Sequence, residues 1–269
     1  MLELIYNVLV AIYDAVYEMY YEAVIKRRLE PPLMRHSLYY RSLGKARPLF
    51  RRKVWEFIRQ NEFVGREQLK IKISLKTIIA AHAVQLSFRL PEDAYSYYDK
   101  IILYKDYYLS TFTRKYHKGE VNPGLKVIVF SIRAIYESIE KKDDGLNVLI
   151  HEFAHALWLE HMLMHRQYRV FEPVRFDEVR AIIRQEMENH ATDESHFFRR
   201  YAFANEAEFF AVATENLFER PAEFKASLPA LHKAIFDLFD NQPYPELTRV
   251  NDGWHEAHST RQADRDRRM

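Results

Sequence analysis

Residues 151–155 read His-Glu-x-x-His, a pattern whose residue types can hold a metal ion and use it. On a helix, positions four apart lie one turn apart on the same face, so the imidazoles of His151 and His155 can reach one ion. Glu152 lies beside that pair and can act on a water molecule activated by the ion without being a ligand itself. The pattern therefore predicts a metal-dependent hydrolytic site if the chain supplies a third ligand.

One candidate for the third ligand is His161, six residues after His155. This spacing matches the longer pattern H-E-x-x-H-x-x-G-x-x-H, in which a glycine breaks the helix so that the chain can turn back to the metal. Trp158 stands at the glycine position and is compatible with a continuing helix. A continuing helix rotates His161 about 240° away from His155, so we expect His161 to lie away from the metal.

The other candidates are the glutamates that open a helix predicted at about 205–219. Glu208 shares a helical face with Glu215, whereas Glu206 lies about 200° round from Glu208. Only one of Glu206 and Glu208 can therefore face the metal, and position alone does not choose between them. Both can also be ordinary first-turn charges that interact favourably with the helix dipole.

The composition limits which classes of protein are possible. The chain has 269 residues, of which 48% are hydrophobic, enough for the core of one large domain. Its 40 basic and 38 acidic residues do not indicate direct nucleic-acid binding. The chain has no cysteine, which excludes disulfides, thiolate zinc sites and cysteine nucleophiles. Any zinc must be held by His, Asp, Glu and water.

The hydrophobic pattern predicts an α+β fold that is mostly helical. The stretch at about 145–165 is apolar nearly all round, which is typical of a buried central helix, and it carries the H-E-x-x-H pattern. Strand-like runs occur at 69–73, 100–109 and 125–132, which predicts a small antiparallel or mixed sheet.

The first 25 residues form an apolar, tyrosine-rich segment with helical periodicity. It has a narrow polar stripe at Glu3, Asn7, Asp14, Glu18 and Glu22. We expect this helix either to dock on the domain or a partner, or to associate with a membrane. Asp14 opposes insertion into a bilayer, while the basic run at 26–28 would favour a cytoplasmic catalytic domain.

The predicted domain organisation has three parts. An N-terminal helix covers residues 1–32, and Pro31-Pro32 is predicted to end it. The catalytic domain covers 33–247. Residues 248–269 are charged and low in apolar content, which is typical of a disordered tail.

Two segments resemble the Mlc titration factor A family of zinc peptidases, also called glucose-regulated metallopeptidases. These are NVLIHEFAHAL at 147–157 and YAFANEAEFFAVATENLFERP at 201–221. A weaker match is IIAAHAVQLSF at 78–88. The resemblance extends over about residues 36–245 and implies a zincin-like catalytic domain that binds one zinc ion and hydrolyses peptides or proteins.

The resemblance also implies roles for individual residues. His151, His155 and Glu208 would be the zinc ligands and Glu152 the general base. Tyr201 would stabilise the oxyanion formed during the reaction.

One position of this chain departs from the family pattern. Relatives commonly have an acidic residue where this chain has Trp158, and Glu160 or Glu215 are the candidates to replace it.

The family resemblance also implies binding to a transcriptional repressor, Mlc, so a regulatory binding protein is the alternative function. For an extended substrate, the strand at 125–132 is the predicted sheet edge.

Overall fold

The computed structural model describes residues 1–91, 93–110, 114–141, 144–164, 170–190 and 194–240. Within these ranges the protein is mostly helical with a small mixed sheet, which confirms the predicted class. The predicted tail at 248–269 lies outside the described residues, and the three-part domain division stays a prediction.

Eleven α-helices occur in the described part of the chain. They are α1 (Leu2–Tyr20), α2 (Lys26–His36), α3 (Leu38–Ser42), α4 (Arg47–Gln60), α5 (Ile73–Ser87), α6 (Ile132–Glu140), α7 (Val148–Leu163), α8 (Pro173–His190), α9 (Glu206–Glu219), α10 (Pro221–Ser227) and α11 (Pro229–Phe239). A π-helical turn, Tyr21–Ile25, joins α1 to α2, and short 3₁₀ helices precede α4 and α9.

Six strands form two sheets in the same ranges. The strands are β1 (Glu62–Gly65), β2 (Lys100–Tyr104), β3 (Tyr108–Leu109), β4 (Tyr116–His117), β5 (Gly119–Asn122) and β6 (Val127–Ser131). The main sheet has the order β1-β2-β6-β5, and β3 pairs with β4 separately. The pairs β1–β2 and β2–β6 are parallel, whereas β5 runs antiparallel to β6.

The predicted edge strand is wrong. The segment predicted at 125–132 is β6, which pairs with β2 on one side and β5 on the other. All five residues of β6 are buried, and such continuous apolar runs are typical of a central strand. The edge strands are β1 and β5, and the sequence of β5, Gly-Glu-Val-Asn, is more polar than that of β6, as edge strands often are.

The strand predicted at 69–73 is also wrong. The first strand is β1, which ends before this segment, and α5 begins at its last residue. After β1 the chain turns sharply at Glu67 and Gln68, which both have positive φ. Leu69 and Ile71 then pack, partly buried, against the core in irregular backbone. Their alternating pattern reflects this packing rather than participation in a sheet.

Pro31 and Pro32 do not end the N-terminal helical segment, because both lie inside α2. Proline removes a backbone donor, which leaves the carbonyls of Arg27 and Arg28 without their helical partners. Both arginines are exposed, so water can solvate those carbonyls. Leu29, on the inner face of the helix, is fully buried, and its packing outweighs the lost hydrogen bonds.

The helix α7 lies at the centre of the hydrophobic core, as its apolar sequence predicted. Phe153, inside the H-E-x-x-H pattern, packs against the rings of Phe57, Tyr95 and Phe130 at centroid distances of 5.8, 5.3 and 5.5 Å. These contacts join α7 to α4, to the loop before β2 and to the sheet. The orientation of the histidine-bearing face is therefore fixed by packing on the opposite face.

The described side chains of α1 are exposed as far as Val16, and the helix first contacts the body of the protein near its C-terminal end. Tyr17 Oη accepts a hydrogen bond from Trp55 Nε1 at 3.1 Å, and Glu18 pairs with Arg52. In the described ranges, no helix combines the length and the apolar character that crossing a membrane requires.

Glu160, near the C-terminal end of α7, anchors the loop before β2. Its carboxylate accepts hydrogen bonds from the backbone N–H groups of Tyr95 and Tyr97, at 2.7 and 2.9 Å. Burial raises the pKa of Glu160 to about 7, against the opposing effect of these hydrogen bonds. The carboxyl group is thus held in a place that favours its neutral form.

We predict that Glu160 makes the unfolding free energy depend on pH. Its folded-state pKa lies above the ordinary value of 4.5, so its contribution to stability is complete below about pH 4.5 and is lost as the pH rises through 7. In Glu160→Gln the neutral amide removes this dependence, a difference of up to about 3 kcal/mol over the interval. Urea unfolding of the metal-free protein between pH 4.5 and 8 measures it. Identical pH profiles for the two proteins would contradict the assignment.

Candidate metal centre

The start of α7 is set by Asn147, which caps the helix. Its side-chain oxygen accepts hydrogen bonds from the N–H groups of Leu149 and Ile150, both at 3.1 Å. Asparagine is a preferred residue at this position because it satisfies donors that have no partner within the helix. His151 and His155 follow in the next turns and lie on one face, partly exposed.

The helix α9 runs antiparallel to α7 and supplies acidic side chains to that face. Asn205 caps α9 by accepting a hydrogen bond from the N–H of Glu208 at 2.9 Å, so Glu208 lies in the first turn. Glu208 contacts His155, and Glu215, two turns later, contacts His151. The later glutamate of α9 thus contacts the earlier histidine of α7, which shows that the two helices run in opposite directions.

His151, His155 and Glu208 form a compact group that could hold a metal ion. The Nε2 atoms of the two histidines are 3.1 Å apart, and Glu208 Oε2 is 3.2 Å from each of them. Among the described residues, these three are the one group of three or more His, Asp or Glu side chains whose ligand atoms lie close enough together to share an ion. The structure thus brings together the three ligands that the family resemblance implies.

Glu215 fixes the orientation of His151. Its Oε1 lies 2.6 Å from His151 Nδ1, and since a carboxylate can only accept, the ring donates through Nδ1. The backbone N–H of Asn147 donates to the other carboxylate oxygen at 2.9 Å, and Arg199 donates to Oε1 at 2.7 Å. Arg199 also donates to the carbonyl of Gly145, which holds the guanidinium in place. This arrangement directs Nε2 of His151 toward Glu208.

The electrostatics of the group favour a cation. Burial alone would lower the pKa of His151, but the carboxylates of Glu215 and Glu208 outweigh it and raise that pKa to about 10. Burial opposes the ionisation of Glu208, yet its hydrogen bonds with His151 and His155 hold its pKa far below the usual range. The carboxyl groups of Glu208, Glu215 and Glu152 thus lie close to the imidazoles, and a positive charge among these groups is stabilised.

Glu152 lies on the sheet side of α7, buried beneath the edge strand β5. Burial raises the pKa of its carboxyl group, while His151 and His155 oppose that change. Gly119, the first residue of β5, touches it so closely that an added Cβ would lie 2.5 Å from Glu152 Cγ. A glycine is therefore required at 119 for the strand to approach the Glu152 side chain at this distance.

Tyr201 is half exposed in the 3₁₀ helix before α9, and its hydroxyl donates to Glu208 Oε1 at 2.9 Å. Burial and the neighbouring Glu208 carboxylate raise the pKa of Tyr201 well above its usual value. The phenol is therefore neutral at ordinary pH and can donate a hydrogen bond at the edge of the group.

A cleft of about 680 Å³ opens beside these residues. Its walls are formed by 115–119, by α6, by the segment 144–148, by the motif face of α7 and by Arg199, Tyr201 and Glu215. The cleft therefore gives a molecule from solution access to His151, Glu152 and Tyr201 at once.

The structure places Glu206 and His161 away from the group. Glu206 pairs with Arg180 and Arg184 of α8, both at 2.8 Å. His161 is buried, and its Nδ1 accepts a hydrogen bond from the N–H of Phe171 at 3.2 Å. The continuing helix through Trp158 explains the position of His161, as expected.

Trp158 is a core residue whose ring packs on Phe176 and Phe210 at 4.8 and 5.1 Å. Of the two acids considered as substitutes for an acid at this position, Glu160 binds the loop before β2, and Glu215 orients a histidine of the group. The structure therefore supplies a carboxylate partner to His151 without an acid at 158.

Three residues of the site were not predicted from the sequence. Asn147 has the sequence position of a helix cap, directly before an apolar helical run, and this signal was available. Arg199 and Gly119 are ordinary residues of loop and strand in the sequence. Their roles arise from contacts across the fold, with Glu215 and Glu152 respectively, which no local pattern reveals.

The site therefore combines a candidate metal-ligand group from two helices with a cleft open to solution. The chain belongs to the family described as glucose-regulated metallopeptidase M90, whose model matches residues 19–240. This match confirms the resemblance and begins earlier than expected, at the end of α1. Membership of the family implies a metal ion and a metallopeptidase type of activity.

The chain is also similar to an uncharacterized protein, slr2042, of Synechocystis sp.. The two are 24% identical over 210 residues, which cover 71% of this chain and 75% of that protein.

We predict that Glu208→Ala weakens metal binding by at least about 100-fold, above the 10–100-fold typical of residues that only support a ligand. Glu206→Ala is the matched control, because it removes a neighbouring carboxylate that pairs with arginines of α8. Competition with a chromogenic chelator measures the affinity. Retention of metal by Glu208→Ala together with its loss in Glu206→Ala would show that the third ligand is wrongly assigned.

Proposed function

We propose that the protein is a zinc-dependent peptidase of the zincin type, with a glutamate from a later helix as third ligand. His151, His155 and Glu208 hold one zinc ion, and Glu152 is the general base. The observation that carries the proposal is the close approach of the three ligand side chains from two helices beside an open cleft.

The ligand distances fit zinc. Ligand atoms about 2.0–2.1 Å from a tetrahedral zinc ion are about 3.3 Å from one another, and the three pairs here are separated by 3.1, 3.2 and 3.2 Å. Two imidazole nitrogens and one carboxylate oxygen are a ligand set that zinc enzymes use, with the fourth position left for water or substrate. The Glu215 contact with His151 Nδ1 leaves Nε2 of that ring available for coordination.

Zinc bound there would lower the pKa of a coordinated water to about 7 and polarise the substrate carbonyl. Glu152 takes the proton of the attacking water and then gives it to the departing amine. Its raised pKa suits this exchange, because a carboxyl group closer to neutrality both accepts and releases a proton readily. Gly119 leaves the space that the Glu152 side chain occupies beneath β5.

Tyr201 supports the negative charge that develops on the carbonyl oxygen. Its hydroxyl already lies within hydrogen-bond distance of the Glu208 carboxylate, and Tyr201 lines the cleft. A neutral phenol in a partly water-excluded site is an effective donor to an oxyanion. The high pKa of Tyr201 keeps that proton on the hydroxyl.

The edge strand β5 provides a place for an extended peptide. Its partner among the described strands is β6, which leaves the opposite edge of β5 for pairing. Gly119, at one end of this strand, touches Glu152. A peptide that adds to the sheet along β5 would thus bring its backbone past the general base.

Binding of a transcriptional repressor and a cytoplasmic location stay predictions. The first would make the protein a regulatory binding protein, with the peptidase activity secondary to it.

Hydrolysis of short chromogenic peptides by the wild type and by Glu152→Gln tests the proposed function. Loss of the general base is expected to lower kcat by about 10²–10⁴-fold, while zinc content stays unchanged. Equal rates in the two proteins would overturn the mechanism.

Gly119→Ala tests whether the strand positions the general base. The added methyl group must displace the Glu152 side chain, and we expect kcat to fall by about 10–100-fold with zinc affinity unchanged. Gly124→Ala, in the turn between β5 and β6, is the control, because its Cβ would have its nearest neighbour at an ordinary 3.5 Å. Equal effects of the two substitutions on kcat would contradict the positioning role of Gly119.

A further inference from the structure

The helix α1 carries a large exposed apolar surface that the proposed peptidase site does not use. We call it the α1 apolar surface and define it by Leu4, Ile5, Leu9, Val10, Ile12 and Tyr13. Their exposed fractions range from 39% at Val10 to 69% at Leu4. Contiguous exposed apolar surface of this kind marks a site of interaction.

The width of this surface indicates what covers it. Viewed down the helix axis, at 100° per residue, the six residues of the α1 apolar surface occupy an arc of about 240°. Leu4 lies at one end of this arc and Val10 at the other. A helix that packs on one protein surface needs an apolar stripe of about 100°. A single partner helix, including α1 of a second copy, would cover less than half of the arc, whereas a helix sunk into the boundary between headgroups and acyl chains can bury a wider arc.

The attachment of α1 to the body leaves this surface open. The hydrogen bonds between them involve Tyr17 and Glu18, after the last residue of the α1 apolar surface. The 15 helical residues that precede Tyr17 correspond to about 23 Å of helix.

Charge at the base of the helix indicates the kind of lipid. Arg27 and Arg28 follow the π-helical turn, and both are exposed. Basic side chains next to an apolar helix favour anionic headgroups. In the sequence, positions 3, 7 and 14 fall on the remaining arc and are Glu, Asn and Asp, so this arc would face water, away from the anionic headgroups. A helix with one polar side suits the plane of the interface better than a path across the bilayer.

We propose that α1 binds the surface of an anionic membrane. Its apolar arc lies in the boundary between headgroups and acyl chains, and Arg27 and Arg28 contact the headgroups. The cleft beside His151 and Glu208 is then held at a bilayer surface. This inference does not rest on the peptidase activity, because it concerns a separate part of the chain.

Co-sedimentation of the full chain with lipid vesicles tests the proposal. We expect binding to vesicles of phosphatidylcholine mixed with phosphatidylglycerol, and weaker binding to phosphatidylcholine alone. Leu9→Glu/Ile12→Glu should lower binding to the mixed vesicles by at least about tenfold, because two apolar side chains can no longer enter the bilayer. Arg27→Glu/Arg28→Glu should remove the preference for the anionic lipid.

The matched control is Leu125→Glu/Val174→Glu, which adds the same charges at exposed apolar positions outside α1. It should bind vesicles as the wild type does, and zinc binding should be equal in all variants. Absence of wild-type binding to both vesicle types overturns the proposal. Light scattering that shows an oligomer, dissociated by Leu9→Glu/Ile12→Glu and without lipid binding, identifies a second copy as the occupant instead.

Discussion

The site depends on the hydrogen bond between Glu215 and His151, which joins the two helices that form it. Glu215 is almost fully buried, and a carboxylate in such a place is costly unless each oxygen has a partner. His151, Arg199 and the backbone of Asn147 provide those partners. The same contacts fix the rotation of the His151 ring and the alignment of α9 along α7. A change at Glu215 or Arg199 would therefore alter the orientation of His151 without replacing a proposed metal ligand.

Charge provides the second constraint. Glu152, Glu208 and Glu215 lie close to two imidazoles in a partly buried place, and repulsion among three carboxylates favours a bound cation. The surroundings give the three acids different roles. Glu215 is held by donors on both oxygens, Glu208 faces the histidine nitrogens, and Glu152 lies under β5 with a raised pKa. In the proposed mechanism, one type of side chain would therefore orient a ligand, bind a metal and transfer a proton.

Much of this could be predicted from the sequence, and the exceptions have a common cause. The motif helix was predictable because its apolar pattern and the spacing of His151 and His155 are local properties. The choice of Glu208 over Glu206 required the family resemblance, because both acids occupy the first turn of the same helix. The edge strand was wrongly predicted because position along the chain does not give the order of strands in a sheet. Gly119 was missed for the same reason, since its role is a contact between distant segments.

We propose that the helices α7 and α9 together form one zinc site. A crystal structure of the zinc-loaded protein, with anomalous scattering recorded on both sides of the zinc absorption edge, tests it most directly. We expect one anomalous peak bonded to Nε2 of His151, Nε2 of His155 and a carboxylate oxygen of Glu208. A peak located elsewhere, or one bonded to the two histidines without Glu208, would contradict it.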